Sequence, residues 1–120
     1  MRAGRMTAGQ EQGWQQGFPQ FGLTVAQGAL DWDQTFGSPG RRVLEIGFGM
    51  GDSLLQMAQA EPETQFVGIE VHRPGVGRLL SQALGLGIGN LRVYAEDAVD
   101  VLSHCVAPTS LDAVHIFFPD

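Results

Sequence analysis

A chain of 120 residues, 43% of them hydrophobic, can bury one ordinary core, which makes it one domain or part of one. The lone cysteine, Cys105, excludes an internal disulfide framework, and no stretch has the length and apolarity of a bilayer span or a secretory leader, so the expected compartment is the cytoplasm, with no membrane partner. The formal charge is -6, and the seven basic residues are all arginine, which argues against a general nucleic-acid surface on these residues.

Residues 1–40 are rich in Gly, Gln and Pro, with scattered aromatics (Trp14, Phe18, Phe21, Trp32, Phe36) and no sustained helical or strand period. They predict an irregular N-terminal arm with short helical pieces packed on a core. After Pro39-Gly40 the texture changes. Residues 41–48 predict a first strand, and Asp52 predicts the cap of a helix through 53–60, with Pro62 beyond its end. Residues 65–71 predict a second strand, 74–86 a helix weakened by its glycines, and 90–95 a third strand. Asp97 starts a helix over 98–106, and 110–118 predict a fourth strand opened by Pro108 and ended by Pro119-Asp120. Strands alternating with helices at this spacing imply right-handed crossovers and a parallel sheet covered on both faces, an α/β, Rossmann-like, doubly wound fold over residues 41–120.

In such a sheet the ligand lies beyond the carboxyl ends of the strands. Val43-Leu44-Glu45-Ile46-Gly47-Phe48-Gly49-Met50-Gly51 is an apolar strand that stops in alternating glycines, and Gly47 and Gly49 let the backbone approach a ligand closely. Each predicted strand ends near an acid: Glu45, Glu70, Asp97 and Asp120. Glu70 is placed to accept from two ribose hydroxyls. Asp97-Ala98 is placed to read an adenine edge, and Asp97 serves equally as a helix cap. Asp120 stands where a donor and an acceptor would meet, or simply at the turn that ends a strand. A dinucleotide is disfavoured because Gly47-x-Gly49-x-x-Asp52 lacks the third glycine of the dinucleotide turn, and Glu45 would face a pyrophosphate with like charge. S-adenosylmethionine, with a cationic end and a ribose, suits the acids better. His72, His104 and His115 have no metal-ligand spacing with Cys105, so no metal site is expected, and Cys105 reads as a buried, inert thiol.

Several strings then carry a family resemblance: LEIGFGMG (44–51), GIEVHRPGVG (68–77), NLRV (90–93), EDAVDVL (96–102) and FFPD (117–120). Together they resemble the bacterial tRNA (guanine-N7-)-methyltransferases, and Arg2-x-Gly4-Arg5-Met6-Thr7-x-Gly9-Gln10 resembles that family's N-terminal arm. The resemblance implies a class I methyltransferase that uses S-adenosylmethionine to modify a variable-loop guanosine of tRNA. Glu45, Glu70 and Asp97 would be cofactor contacts, and Asp120 both a cofactor contact and the catalytic residue. In relatives FFPD runs into a Pro-Trp, basic, His-rich segment and further strands that hold tRNA, so residues 41–120 are expected to be the cofactor-binding half of a truncated domain, inactive alone. Met1, directly before Arg2, points to a shortened N-terminus as well. The fourth strand is then expected to form an apolar, unpaired edge that promotes aggregation. A methyltransferase for another substrate, or a cofactor-binding remnant without catalysis, are the alternatives, with NAD-dependent oxidoreduction behind them.

Overall fold

A computed structural model describes residues 5–117. Its first element differs from the irregular arm expected of residues 1–40. Ala8–Phe21 form α1, a helix of 14 residues. Thr7 caps it reciprocally: the Gln10 amide donates to Thr7 Oγ1 at 3.1 Å, and the Thr7 amide donates to Gln10 Oε1 at 2.9 Å. The buried positions are Gly13, Gly17 and Phe21, four residues apart, so two of the three positions that mark the inner face carry no side chain. The periodicity is therefore present in the backbone contacts but invisible in hydrophobicity.

Gly22–Leu23 form β1, followed by a 3₁₀ turn over Val25–Gln27 and a short helix α2 (Trp32–Phe36) capped by Asp31. The regular βα alternation then begins: β2 (Arg42–Ile46), α3 (Asp52–Ala60), β3 (Gln65–Ile69), α4 (Arg73–Leu86), β4 (Leu91–Tyr94), α5 (Ala98–His104) and β5 (Ala113–Ile116). The strand order is β1-β4-β3-β2-β5, and every pair is parallel. Five strands stand where four were expected, because Gly22 and Leu23 pair with Val93 and Tyr94 and bring the N-terminal segment into the sheet.

Alternate strand residues feed two apolar layers. Val43, Phe66, Leu91 and Val93 face α1, α3 and α4, where they meet Phe21, Leu54, Leu79 and Leu80. Leu44, Val67, Ile69 and Tyr94 face the other way, onto Trp32 of α2 and Val101 of α5. Every residue of the central strand β3 is buried, as a parallel strand covered on both faces requires.

Two local expectations are corrected. Asp52 does not cap α3: Gly51, at φ +88°, occupies that position, and Asp52 is the first helical residue, paired with Arg78. The last strand is shorter than 110–118, because Ser110 donates its amide to Ala107 O in a turn and pairing with β2 begins at Ala113. No helix among the described residues is long and apolar enough to cross a membrane.

Candidate functional site

The carboxyl ends of β4, β3, β2 and β5 lie side by side in that order. Along this rim the sheet therefore sets Asp97 after β4, Glu70 after β3, Glu45 within β2 and Phe117 after β5. Three of the four predicted acids are brought onto one edge. Asp120 lies outside the described residues; Phe117 donates its amide to Ile46 O at 3.0 Å, so the run that leads to it starts on the rim beside Gly47.

The turn between β2 and α3 is built as its glycines require. Gly47, Gly49 and Gly51 all have positive φ, at +76°, +64° and +88°. Gly47 donates its amide to Ile69 O at 2.8 Å and Gly51 to Phe48 O at 3.0 Å, which folds the turn back over the end of β3. A Cβ at Gly49 would point into open space, so the turn presents bare backbone outward.

Glu70 fastens this turn. Its Oε1 accepts the Gly49 amide at 2.7 Å, and its Oε2 accepts the amides of Val71 at 3.0 Å and His72 at 2.9 Å. A carboxylate has about four acceptor positions, and three are taken by backbone. One is left for an outside donor, where the sequence predicts that Glu70 accepts from two ribose hydroxyls. A bidentate grip would require one of these amides to be released.

Glu45 is the buried acid of the site, 7% exposed, in register with Gly68 on one side and His115 on the other. Its Oε1 lies 3.9 Å from His115 Nδ1, and it accepts no hydrogen bond from the described residues. Burial pushes its carboxyl above the ordinary range, and the neighbouring imidazole pulls the other way. An acid desolvated in this way favours a cationic or hydrogen-bond-donating guest. Asp97 is the cap of α5: its Oδ2 accepts the amides of Val99 at 3.1 Å and Asp100 at 3.3 Å, while Oδ1 accepts none among the described residues. Cap and ligand contact are compatible roles for it, and Ala98 follows as the first helical residue.

Some neighbours of the site carry no sequence signal. His115 reads as an ordinary strand residue until the register sets it beside Glu45. Arg78 reaches both Asp52 and the Met50 carbonyl, the latter at 3.4 Å, and so ties α4 to the glycine turn across 28 residues. Trp14 donates its indole N–H to the Arg73 carbonyl at 3.0 Å, which brings α1 to the first turn of α4.

A sequence profile for a family described as "Putative methyltransferase" matches residues 40–120. Similar curated proteins include the tRNA (guanine-N(7)-)-methyltransferases of Pseudomonas entomophila strain L48, 59% identical, and Pseudomonas fluorescens strain Pf0-1, 58% identical. Each alignment covers 100% of this chain and 50% of the relative, so the chain spans about half the length of the curated relatives it matches. Among solved structures, an antibiotic-related methyltransferase superposes with a TM-score of 0.56 at 18% identity, over 73% of this chain and 45% of its own. Phosphoethanolamine N-methyltransferase 2 of Haemonchus contortus, in complex with S-adenosyl-L-methionine, superposes with a TM-score of 0.53 at 24% identity, over 71% of this chain and 19% of its own. At such identities the likeness is one of fold: the Rossmann-like α/β arrangement of methyltransferases.

Proposed function

Because the chain belongs to this methyltransferase family, we propose that its glycine turn and rim acids bind S-adenosylmethionine, as the cofactor-binding half of an enzyme that methylates N7 of a variable-loop guanosine in tRNA. The observation that carries the reading is the Gly49 peptide, with its N–H held by Glu70 and open space before its Cα, set between the buried Glu45 and the capping Asp97. The residues present fit the group. Glu45 supplies a desolvated carboxylate for a positively charged end, Glu70 retains one acceptor position for a hydroxyl, and Asp97 Oδ1 with the Ala98 amide can read an adenine edge. The names of the relatives, at 58–59% identity over the whole chain, support the tRNA substrate.

S-adenosylmethionine supplies an electrophilic methyl group on a sulfonium. Guanine N7 carries a free lone pair in the neutral base, so the protein has no proton to remove before attack. What remains for the chain is alignment and charge placement. Asp120 is assigned the orienting role at the reacting centre; its position follows from the FFPD string and lies outside the described residues. The acidic balance of the chain fits a division of labour in which the basic surface for tRNA belongs to the other half of the relatives' length.

Calorimetry tests the cofactor first: the chain is expected to bind S-adenosylmethionine and not NAD. Joining it to the second half of the 59% identical relative then tests the reaction. That chimaera is expected to form N7-methylguanosine in unmodified tRNA while the 120-residue chain forms none. Preference for NAD, or a chimaera that binds the cofactor but leaves tRNA unmethylated, would overturn the assignment.

A further inference from the structure

Helix α4 is wedged between the glycine turn and α1. On one face, a Cβ at Gly75 would stand 2.0 Å from the Gly49 carbonyl oxygen, and a Cβ at Gly51 would stand 2.7 Å from the Leu79 side chain. On a neighbouring face, a Cβ at Gly13 would stand 2.2 Å from Gly77 O, one at Gly77 would stand 2.5 Å from Gln10 O, and one at Gly17 would stand 2.8 Å from Leu80. Residues 75 and 79 share a helical face, and 73, 77 and 80 share the next. Beside the side-chain contacts of Leu79 and Leu80, each face carries contacts of backbone on backbone, Gly75 with Gly49 on one and Gly77 with Gly13 and Gln10 of α1 on the other. Such contacts have no flexible side chain to absorb a shift, so a displacement of α4 against α1 is felt at Gly49.

Trp14 fixes the end of this wedge that lies nearest the site. Its Nε1 donates to the Arg73 carbonyl at 3.0 Å, the Arg73 guanidinium lies over the indole ring at 4.1 Å, and Phe18 stacks on the ring at 5.1 Å. Arg73 is exposed and Trp14 half-buried, outside the buried residues of the core. The carbonyl that Trp14 binds belongs to the first residue of α4, directly after His72, whose amide donates to Glu70. Gly49 is thereby flanked on two sides: its N–H is bound by Glu70, and its carbonyl oxygen lies against Gly75 in the first turn of α4, too close for a side chain there.

We propose that Trp14 is a positioning residue for the cofactor turn, pinning the first turn of α4 at Arg73 and thereby fixing the Gly49 peptide; the inference rests on the S-adenosylmethionine reading above. Trp14→Phe keeps the aromatic stack and removes the donor. Measured by calorimetry well below the melting temperature, it is expected to weaken S-adenosylmethionine binding by about three- to tenfold, the worth of one hydrogen bond, while the melting midpoint of the free chain falls by a few degrees at most. Because coupling is reciprocal, S-adenosylmethionine is also expected to slow amide hydrogen exchange across residues 8–21 of the unsubstituted chain. An unchanged dissociation constant in Trp14→Phe, or exchange in 8–21 that ignores the ligand, would overturn the positioning role alone. Failure of the unsubstituted chain to bind S-adenosylmethionine would overturn the cofactor reading, and this inference with it. Should Trp14→Phe fail to fold, the exchange measurement on the unsubstituted chain decides.

Discussion

Glu45 on β2 and His115 on β5 are register partners, with Glu45 Oε1 3.9 Å from His115 Nδ1 and the carboxylate otherwise without a hydrogen bond from the described residues. The carboxyl therefore titrates above its ordinary value of 4.5, with burial as the larger cause and His115 opposing it. A folded value above the unfolded one means that the contribution to stability is fully present below the unfolded value and is lost as pH rises through the folded one. As pH rises past the unfolded value, burial of the Glu45 carboxyl therefore becomes a cost to the fold. Glu45→Gln is accordingly expected to raise the melting midpoint at pH 7 and to leave it unchanged near pH 4, while binding of S-adenosylmethionine falls by tenfold or more. Parallel thermal melts at the two pH values, with calorimetry at pH 7, check this. A variant that is less stable at pH 7 would show that Glu45 is held by bonds the geometry does not contain.

Glu70 has the opposite character, since its carboxylate is satisfied three times by backbone amides. Glu70→Gln places an NH₂ against one set of those donors. Hydrogen bonds to a charged acceptor contribute about 1.5–3 kcal/mol, and the loss is expected on that scale in urea denaturation. Cofactor binding should fall further than stability does, because the Gly49 peptide is released together with the contact. A variant of unchanged stability would mean that the three amides find other acceptors.

The regular part of the fold was legible because its signals are local. The runs 43–46 and 66–69 form the inner strands β2 and β3, buried but for the half-buried Ile46, and Glu45, Glu70 and Asp97 come to one rim because parallel βα units align strand ends. The failures have physical causes too. α1 is not legible in hydrophobicity because Gly13 and Gly17 carry its packing face, although Thr7 and Gln10 spell a capping box at its start. β1 has two residues, too few for any period, and forms only because β4 offers an open edge. Asp52 looked like a cap by residue type, but the left-handed Gly51 leaves no place for a side-chain cap, and Arg78 takes the carboxylate instead. The partnership of Glu45 with His115 spans 70 residues and exists only in the register.

The close approach of α1 to α4 predicts an unusual sensitivity to one methyl group. A Cβ at Gly13 would stand 2.2 Å from the Gly77 carbonyl oxygen and 2.9 Å from the Ser81 nitrogen, both backbone atoms that cannot rotate aside. Gly13→Ala would ordinarily strengthen a helix. Here the overpacking should win, with a net loss of about 1–3 kcal/mol in denaturant unfolding. Gly9→Ala in the same helix, whose nearest neighbour would be Thr7 Oγ1 at 3.9 Å, is the control and should be neutral or slightly stabilising. Equal effects at the two positions would rule out the packing explanation.

The outer edge of β5 carries the last prediction. β5 pairs with β2 on one side, and among the described residues no strand pairs with the other. Val114 and Ile116 share the face that α5 covers elsewhere in the sheet, yet they are 47% and 53% exposed, and Phe117 beyond them is 56% exposed. An apolar strand with open N–H and C=O groups is a template for another strand. The 120-residue chain is therefore expected to associate as its concentration rises and to bind an apolar dye, both measurable by light scattering and fluorescence. Ile116→Lys places a charge on this edge at a position that is already half exposed, so it should suppress association with little change in the melting midpoint. Joining the second half of a relative should suppress it as well, if that half supplies the neighbouring strand. Association that survives Ile116→Lys would locate the sticky surface elsewhere, with exposed Val99 and Leu102 on α5 as the next place to look.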